Sequence, residues 1–172
     1  MREMNPRRAL AAALLTALAL HSASAGDVWV VRNNGVGSAK IGMTLAQLSA
    51  VLHEDLSRQT DKGENCTFVF QSQHSNIGLM IVGGKFVRTE IDQPGVYTAE
   101  GIQIGDTEER VKKVYGSRVK VEPHAYDGPE WHYLTVRSPN GRYGIRFETD
   151  GTKVVMFYAG TYKAIQYIEG CQ

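Results

Sequence analysis

Apolar residues recur at helical spacing in two stretches of the chain. Residues 40–52 read KIGMTLAQLSAVL and residues 103–115 read QIGDTEERVKKVY. In the first, Leu45, Leu48, Val51 and Leu52 share one helical face; in the second, Val111, Val114 and Tyr115 do. At a constant offset Ile41, Gly42 and Thr44 match Ile104, Gly105 and Thr107. Thr44 followed three residues on by Gln47 predicts a capping box. In the second stretch Asp106 or Thr107 takes the cap, and Asp106 with Glu109 repeats the spacing. Gly116 supplies a helix stop.

Between and after these stretches the period changes from about 3.6 to 2. Residues 66–70, 78–82 and 85–91 read as strands, and so do 132–136, 144–148 and 153–158. Gly83-Gly84 and Asp150-Gly151 are hairpin turns between them. Residues 118–122 and 164–168 add further strands, and 28–32 an N-terminal one. The Gly-rich residues 33–38 (NNGVGS) read as a flexible lead-in. The predicted fold is therefore α+β: two tandem repeats, each a helix followed by a three-stranded antiparallel meander, with the helices on one face of the sheet. The join falls near residues 93–98, which divides the chain into units 26–96 and 97–172. One such unit alone buries too little apolar surface to stand by itself.

Residues 1–25 change the picture of compartment. Three arginines within the first eight residues precede an apolar run over 9–20, and His21-Ser-Ala-Ser-Ala25 ends in a small-residue cleavage signal. This reads as a secretory signal peptide cleaved after Ala25, too short to span a bilayer, so no membrane span is expected after cleavage. The chain carries 19 Lys and Arg against 18 Asp and Glu. A near-neutral balance points away from nucleic acid and from anionic membrane surfaces. The two cysteines, Cys66 and Cys171, form an even count in an exported chain and predict one disulfide. The expected location is the periplasm or the secreted fraction.

The two helix-leading motifs, "IGMT…L…VL" and "IGDT…V…VY", each followed by a meander, resemble the tandem-repeat fold of the β-lactamase inhibitory protein. They are also similar to the small outer-membrane assembly lipoproteins of the SmpA/BamE type, which carry one such unit; this chain lacks their lipidated Cys. The second half, from "GIQIGDTEERVKKVYG" through "PHAY", "HYLTV", "FETDG" and "YIEGC", resembles a widespread group of exported proteins of Gram-negative bacteria. The likeness spans residues 37–168. It implies non-enzymatic binding of a protein partner: inhibition or neutralisation of a hydrolase, or assistance in envelope assembly.

Chemistry-bearing residues concentrate in residues 122–134, EPHAYDGPEWHYL. Pro123 and Pro129 restrain this loop, and Tyr126 and Trp131 on it suit aromatic anchors for a partner. The candidate binding set is His124, Tyr126, Asp127, Trp131, His132, Tyr133, Arg142 and Tyr143. A sheet covered by helices on one face leaves the other open. Tyr133, Tyr143, Tyr158, Tyr162 and Tyr167 with Arg137, Arg142 and Arg146 would make that face a docking surface. The alternative reading is a metal or small ligand held through His124 and His132, although their spacing of eight lacks the tight pattern of strong metal motifs. The sequence has no Gly-x-Ser-x-Gly elbow, no His-Glu-x-x-His and no phosphate loop, so no catalytic residue, metal ligand or cofactor is assigned. Glu108 and Glu109, at a helix start, read as solvated.

Overall fold

The computed structural model describes residues 29–59 and 65–171. The expected leader, its cleavage site and Val28 lie outside these residues. The chain runs β1 (Val30–Arg32), β2 (Gly35–Val36), β3 (Ala39–Lys40), α1 (Leu45–Leu52), β4 (Cys66–Gln71), β5 (His74–Val82), β6 (Lys85–Ile91), β7 (Tyr97–Thr98), α2 (Glu108–Tyr115), β8 (Val119–Pro123), β9 (His132–Arg137), β10 (Tyr143–Thr149) and β11 (Val154–Thr161). Seven strands form one antiparallel sheet in the order β4-β5-β6-β11-β10-β9-β8. The fold is α+β, as the patterning predicts.

Each helix starts where its cap dictates. Thr44 accepts from the Gln47 amide at 3.2 Å, and Gln47 Oε1 accepts from the Thr44 amide at 2.9 Å. In α2 the cap is Thr107, which accepts from the Arg110 amide at 3.2 Å. Asp106 turns back instead, to accept from the Gln103 amide at 2.9 Å. Gly116 closes α2 in the left-handed region, φ 59°.

The turn before each helix is sewn to a strand in the same way. The Gly42 amide donates to Phe86 O and the Phe86 amide to Met43 O, both at 2.8 Å. The Gly105 amide donates to Val154 O and the Val154 amide to Asp106 O, again at 2.8 Å. Gly42 and Gly105 adopt φ of 97° and 89°, which a side chain would strain. These paired contacts fix both helices over the same face of the sheet. Leu48 and Leu52 of α1, and Val111 and Tyr115 of α2, join a single core with Leu79, Ile91, Leu134, Phe147 and Phe157. Burying each such side chain stabilises the fold by about 1.5–3 kcal/mol. The sheet continues across the join between the two halves, because β6 pairs with β11.

The additional strand expected at 118–122 is β8, which adds an edge to the second half's meander. Two expectations are corrected. Residues 33–38 are not a loose lead-in. Val31, Val36 and Ala39 are fully buried, and β1–β3 with β7 form a small second sheet in the order β3-β2-β1-β7. Residues 164–168 are not a strand. They begin with a short 3-10 turn, Ala164–Gln166, and run across the sheet instead of pairing along it.

Candidate functional site

Alternation along the strands sends one set of side chains to the helices and the other to the opposite face. In β10, Ile145 and Phe147 enter the core, so Arg146 and Glu148 face the other way. Register then places Tyr158 opposite Arg146, Glu90 opposite Tyr158, and Tyr133 opposite Glu148. The face the helices leave uncovered is thus a lattice of arginine, glutamate and tyrosine.

That face is not open to solvent. Residues 162–171 cross it as a strap, and two buried arginines hold the strap down. Arg88 Nη1 donates to the Ala164 carbonyl at 3.1 Å and the Tyr167 carbonyl at 2.7 Å, while Nη2 pairs with Glu90. Arg146 donates to Thr135 Oγ1 at 2.9 Å and to the Gln166 side chain, and lies 3.5 Å from Glu122. Each guanidinium also lies over a ring: Arg88 4.6 Å from Tyr158, Arg146 4.8 Å from Tyr133. Gly144 makes room for the strap, since a Cβ there would meet Ile165 Cδ1 at 2.6 Å. The predicted disulfide is present: Cys66 and Cys171, 105 residues apart, tie the strap's end to β4.

The loop singled out in the sequence forms the second wall. The His124 amide donates to Trp131 O, and the Trp131 amide to Gly128 O, both at 2.9 Å. His124 tucks its ring under this loop, 4.4 Å from the Tyr133 ring and 5.9 Å from Trp131. Its Nε2 lies 3.5 Å from Glu148, and its Nδ1 lies 2.9 Å from the Asp127 carboxylate and 3.2 Å from the Asp127 amide. The amide contact needs a bare Nδ1 and so puts the neutral ring's proton on Nε2, toward Glu148. The Asp127 contact is an ion pair when the ring is protonated. At the loop's tip, the Tyr126 hydroxyl donates to Glu169 of the strap.

Between strap and loop lies a hollow of about 360 Å³, lined by Phe68, Arg88, Tyr133, Glu148, Met156, Tyr158 and neighbouring side chains. That volume falls in the lower part of the range typical of ligand pockets. Tyr133 and Tyr158 are only 4% and 1% exposed, yet neither hydroxyl makes a hydrogen bond of full geometry. Polar neighbours are close: the Ala125 amide for Tyr133, the Glu148 carboxylate for Tyr158. Burial, with Glu148 adding to it, raises both phenols above their ordinary range. They stay protonated and serve as hydrogen-bonding groups. Arg88 Nε is a third buried polar atom here without a partner. Two further hollows, about 500 Å³ beside Trp29 and His74 and about 230 Å³ beside Tyr115 and Arg118, lack this concentration of buried charge.

Of the residues predicted from sequence, His124, Tyr126 and Tyr133 of the binding set and Tyr158 of the docking face line the hollow. Asp127 and Trp131 flank His124. His132 does not join them. Its side chain turns to the helix face, where Nδ1 lies 2.7 Å from Glu108 Oε1. The sheet therefore separates the two imidazoles, and they share no ligand. Glu108 is itself buried, at 3% exposure, and bonds to Thr149 and Lys112 as well, which corrects the expectation that it is solvated. Tyr143 begins β10 and Arg142 precedes it, at the opposite end from Glu148 and about 17 and about 20 Å away at 3.4 Å per residue. Arg88, Glu90, Glu148 and Glu169 were missed. For the strand residues a signal was present: Arg88 and Glu90 alternate with Val87, Thr89 and Ile91, and Arg146 and Glu148 with Ile145 and Phe147.

Among the described residues no helix is long and apolar enough to cross a membrane. Comparison with family models, with curated proteins and with solved structures finds no match to this chain.

Proposed function

We propose that this chain is an exported, non-enzymatic binding protein that receives part of a protein partner in the hollow between the 124–131 loop and the C-terminal strap. The observation that carries the reading is the pair of buried phenols, Tyr133 and Tyr158, whose hydroxyls lack a hydrogen bond of full geometry beside the hollow. Buried polar groups normally find partners, and leaving one unmade costs about 1–3 kcal/mol. Such groups around a hollow suit an occupant that completes them. Export is supported by the Cys66–Cys171 disulfide, a bond that persists in oxidising compartments, together with the leader expected at residues 1–25. Neutralising a hydrolase or assisting envelope assembly remains the role implied by the resemblance of the helix-leading motifs.

In this reading Tyr126 is the anchor. Trp131 supports His124 from within the loop, whereas Tyr126 is 67% exposed at the rim. Affinity capture with the disulfide-bonded protein tests the reading, run beside Met156→Trp, which fills the hollow, and Arg142→Ala, far from it. A partner kept by Arg142→Ala and lost by Met156→Trp is the expected result. A partner lost only by Arg142→Ala would move the site to the other end of the sheet.

A further inference from the structure

The charges around the hollow say what kind of group fits it. This step rests on the proposed binding site. Arg88 is neutralised by Glu90, and its two Nη atoms are spent on Glu90 and on the Ala164 and Tyr167 carbonyls. Arg146 is likewise spent on Thr135, Gln166 and Glu122. Arg88 Nε is left without a partner, and one Nε cannot by itself grip an anion in the bidentate way that makes arginine an anion receptor. The carboxylates are in the opposite position. Glu148 has the His124 ring and the Tyr158 phenol for close neighbours and Arg88 at longer range, and Glu169 accepts from the Tyr126 hydroxyl. The hollow's lining sets one arginine, Arg88, against three carboxylates, Glu90, Glu148 and Glu169, and Arg88 is paired with Glu90.

Their surroundings are aromatic. Phe68, Tyr126, Tyr133 and Tyr158 line the same hollow, with Met156 and Ile168 between them. Carboxylates among aromatic faces hold cations, through charge and through the ring quadrupole. We infer that the occupant is a lysine side chain of the partner protein. Its ammonium has three donors. The Glu148 carboxylate and the incompletely satisfied hydroxyl oxygens of Tyr133 and Tyr158 offer three acceptors. Its four-carbon stem is apolar and suits the contact with Met156, Phe68 and Ile168.

The test is a titration followed by the NMR signals of labelled tyrosines in the disulfide-bonded protein. The probes are Nα-acetyl-lysine methylamide and its norleucine and glutamate counterparts. The lysine probe is expected to saturate with at least tenfold higher affinity than norleucine. Glu148→Gln should remove that preference tenfold or more, Glu169→Gln should weaken it in the same direction, and Arg142→Ala should leave it unchanged. Norleucine binding as tightly as lysine, or glutamate binding tighter, overturns the lysine inference and leaves the pocket standing. So does a lysine affinity unmoved in both glutamate variants. Failure of all three probes to shift Tyr126, Tyr133 or Tyr158 at tens of millimolar overturns the pocket reading as well.

Discussion

Arg88 holds the Tyr167 carbonyl at 2.7 Å, from a strand on which the arginine is fully buried. The bond joins residues 79 apart in sequence and fixes the strap to the sheet. Arg88→Met removes the charge but leaves Glu90 and two strap carbonyls without their donor. Breaking a buried pair from one side costs about 3–5 kcal/mol. Denaturant unfolding should show a loss of that size. Arg88→Lys should recover little, because an ammonium does not reproduce the fork that reaches Glu90 and two carbonyls at once.

The disulfide acts on the same strap from its far end. A Cys66→Ser/Cys171→Ser variant removes a cross-link spanning 105 residues. The chain-entropy model gives such a loop about 4–5 kcal/mol, an upper figure for most real bridges. Urea unfolding reads the loss. Limited proteolysis is expected to cut first within residues 162–171 of the variant and to spare the oxidised parent there. Equal cutting of both would show that the arginines alone secure the strap.

Glu108 links α2 to the sheet through Lys112, His132 and Thr149. Burial raises its pKa, but the hydrogen bonds from those three side chains outweigh burial and leave it below the ordinary carboxylate range. A carboxylate whose folded pKa is depressed stabilises the fold above its unfolded value, near 4.3, and loses that contribution as pH falls through the folded value. Glu108→Gln should therefore cost about 1–3 kcal/mol at neutral pH. The difference from the parent should hold above about pH 5 and shrink below about pH 4. Urea midpoints measured across that range check it. A difference that grows on acidification would contradict the sign.

Much of the sheet was legible because local patterns decide it. Ile145 and Phe147 alternate with Arg146 and Glu148, and Gly83-Gly84 turns β5 into β6. The Thr44–Gln47 box and the Gly116 stop place the helix ends for the same reason. The failures are of another kind. β2 and β3 are two residues each, shorter than any periodicity window, and exist because β2 pairs with β1 and β3 with β2. Residues 164–168 carry strand-like residues, yet Arg88 and Arg146, on strands far away in sequence, claim their carbonyls and Gln166 side chain. Of the candidate site, the loop residues His124, Tyr126 and Tyr133 were found through their chemistry. Arg146 was named for the uncovered face, whereas Arg88 and Glu90 on β6, Glu148 on β10 and Glu169 on the strap were not, since their meeting is set by the fold.

Gly160 tests whether the two halves are one structure. It lies on β11 opposite Arg88 of β6, in the only pairing that joins the meander of the first half to that of the second among the described residues. A Cβ at Gly160 would stand 2.2 Å from the Val87 carbonyl oxygen, far inside contact distance. Because that atom is backbone, relief requires the seam itself to open. Overpacking of this kind costs about 1–3 kcal/mol, and a clash with main chain belongs at the upper end. Gly160→Ala is expected to lower stability by that amount with α1 and α2 still unfolding in one transition, since their side chains share one core. Probes reporting separately on each half, such as amide exchange in α1 and in α2, should lose protection together. If α2 kept its protection while α1 lost its own, the seam would be a boundary between independent units, and the strap that Arg88 and Arg146 hold across it would be a clasp between two domains.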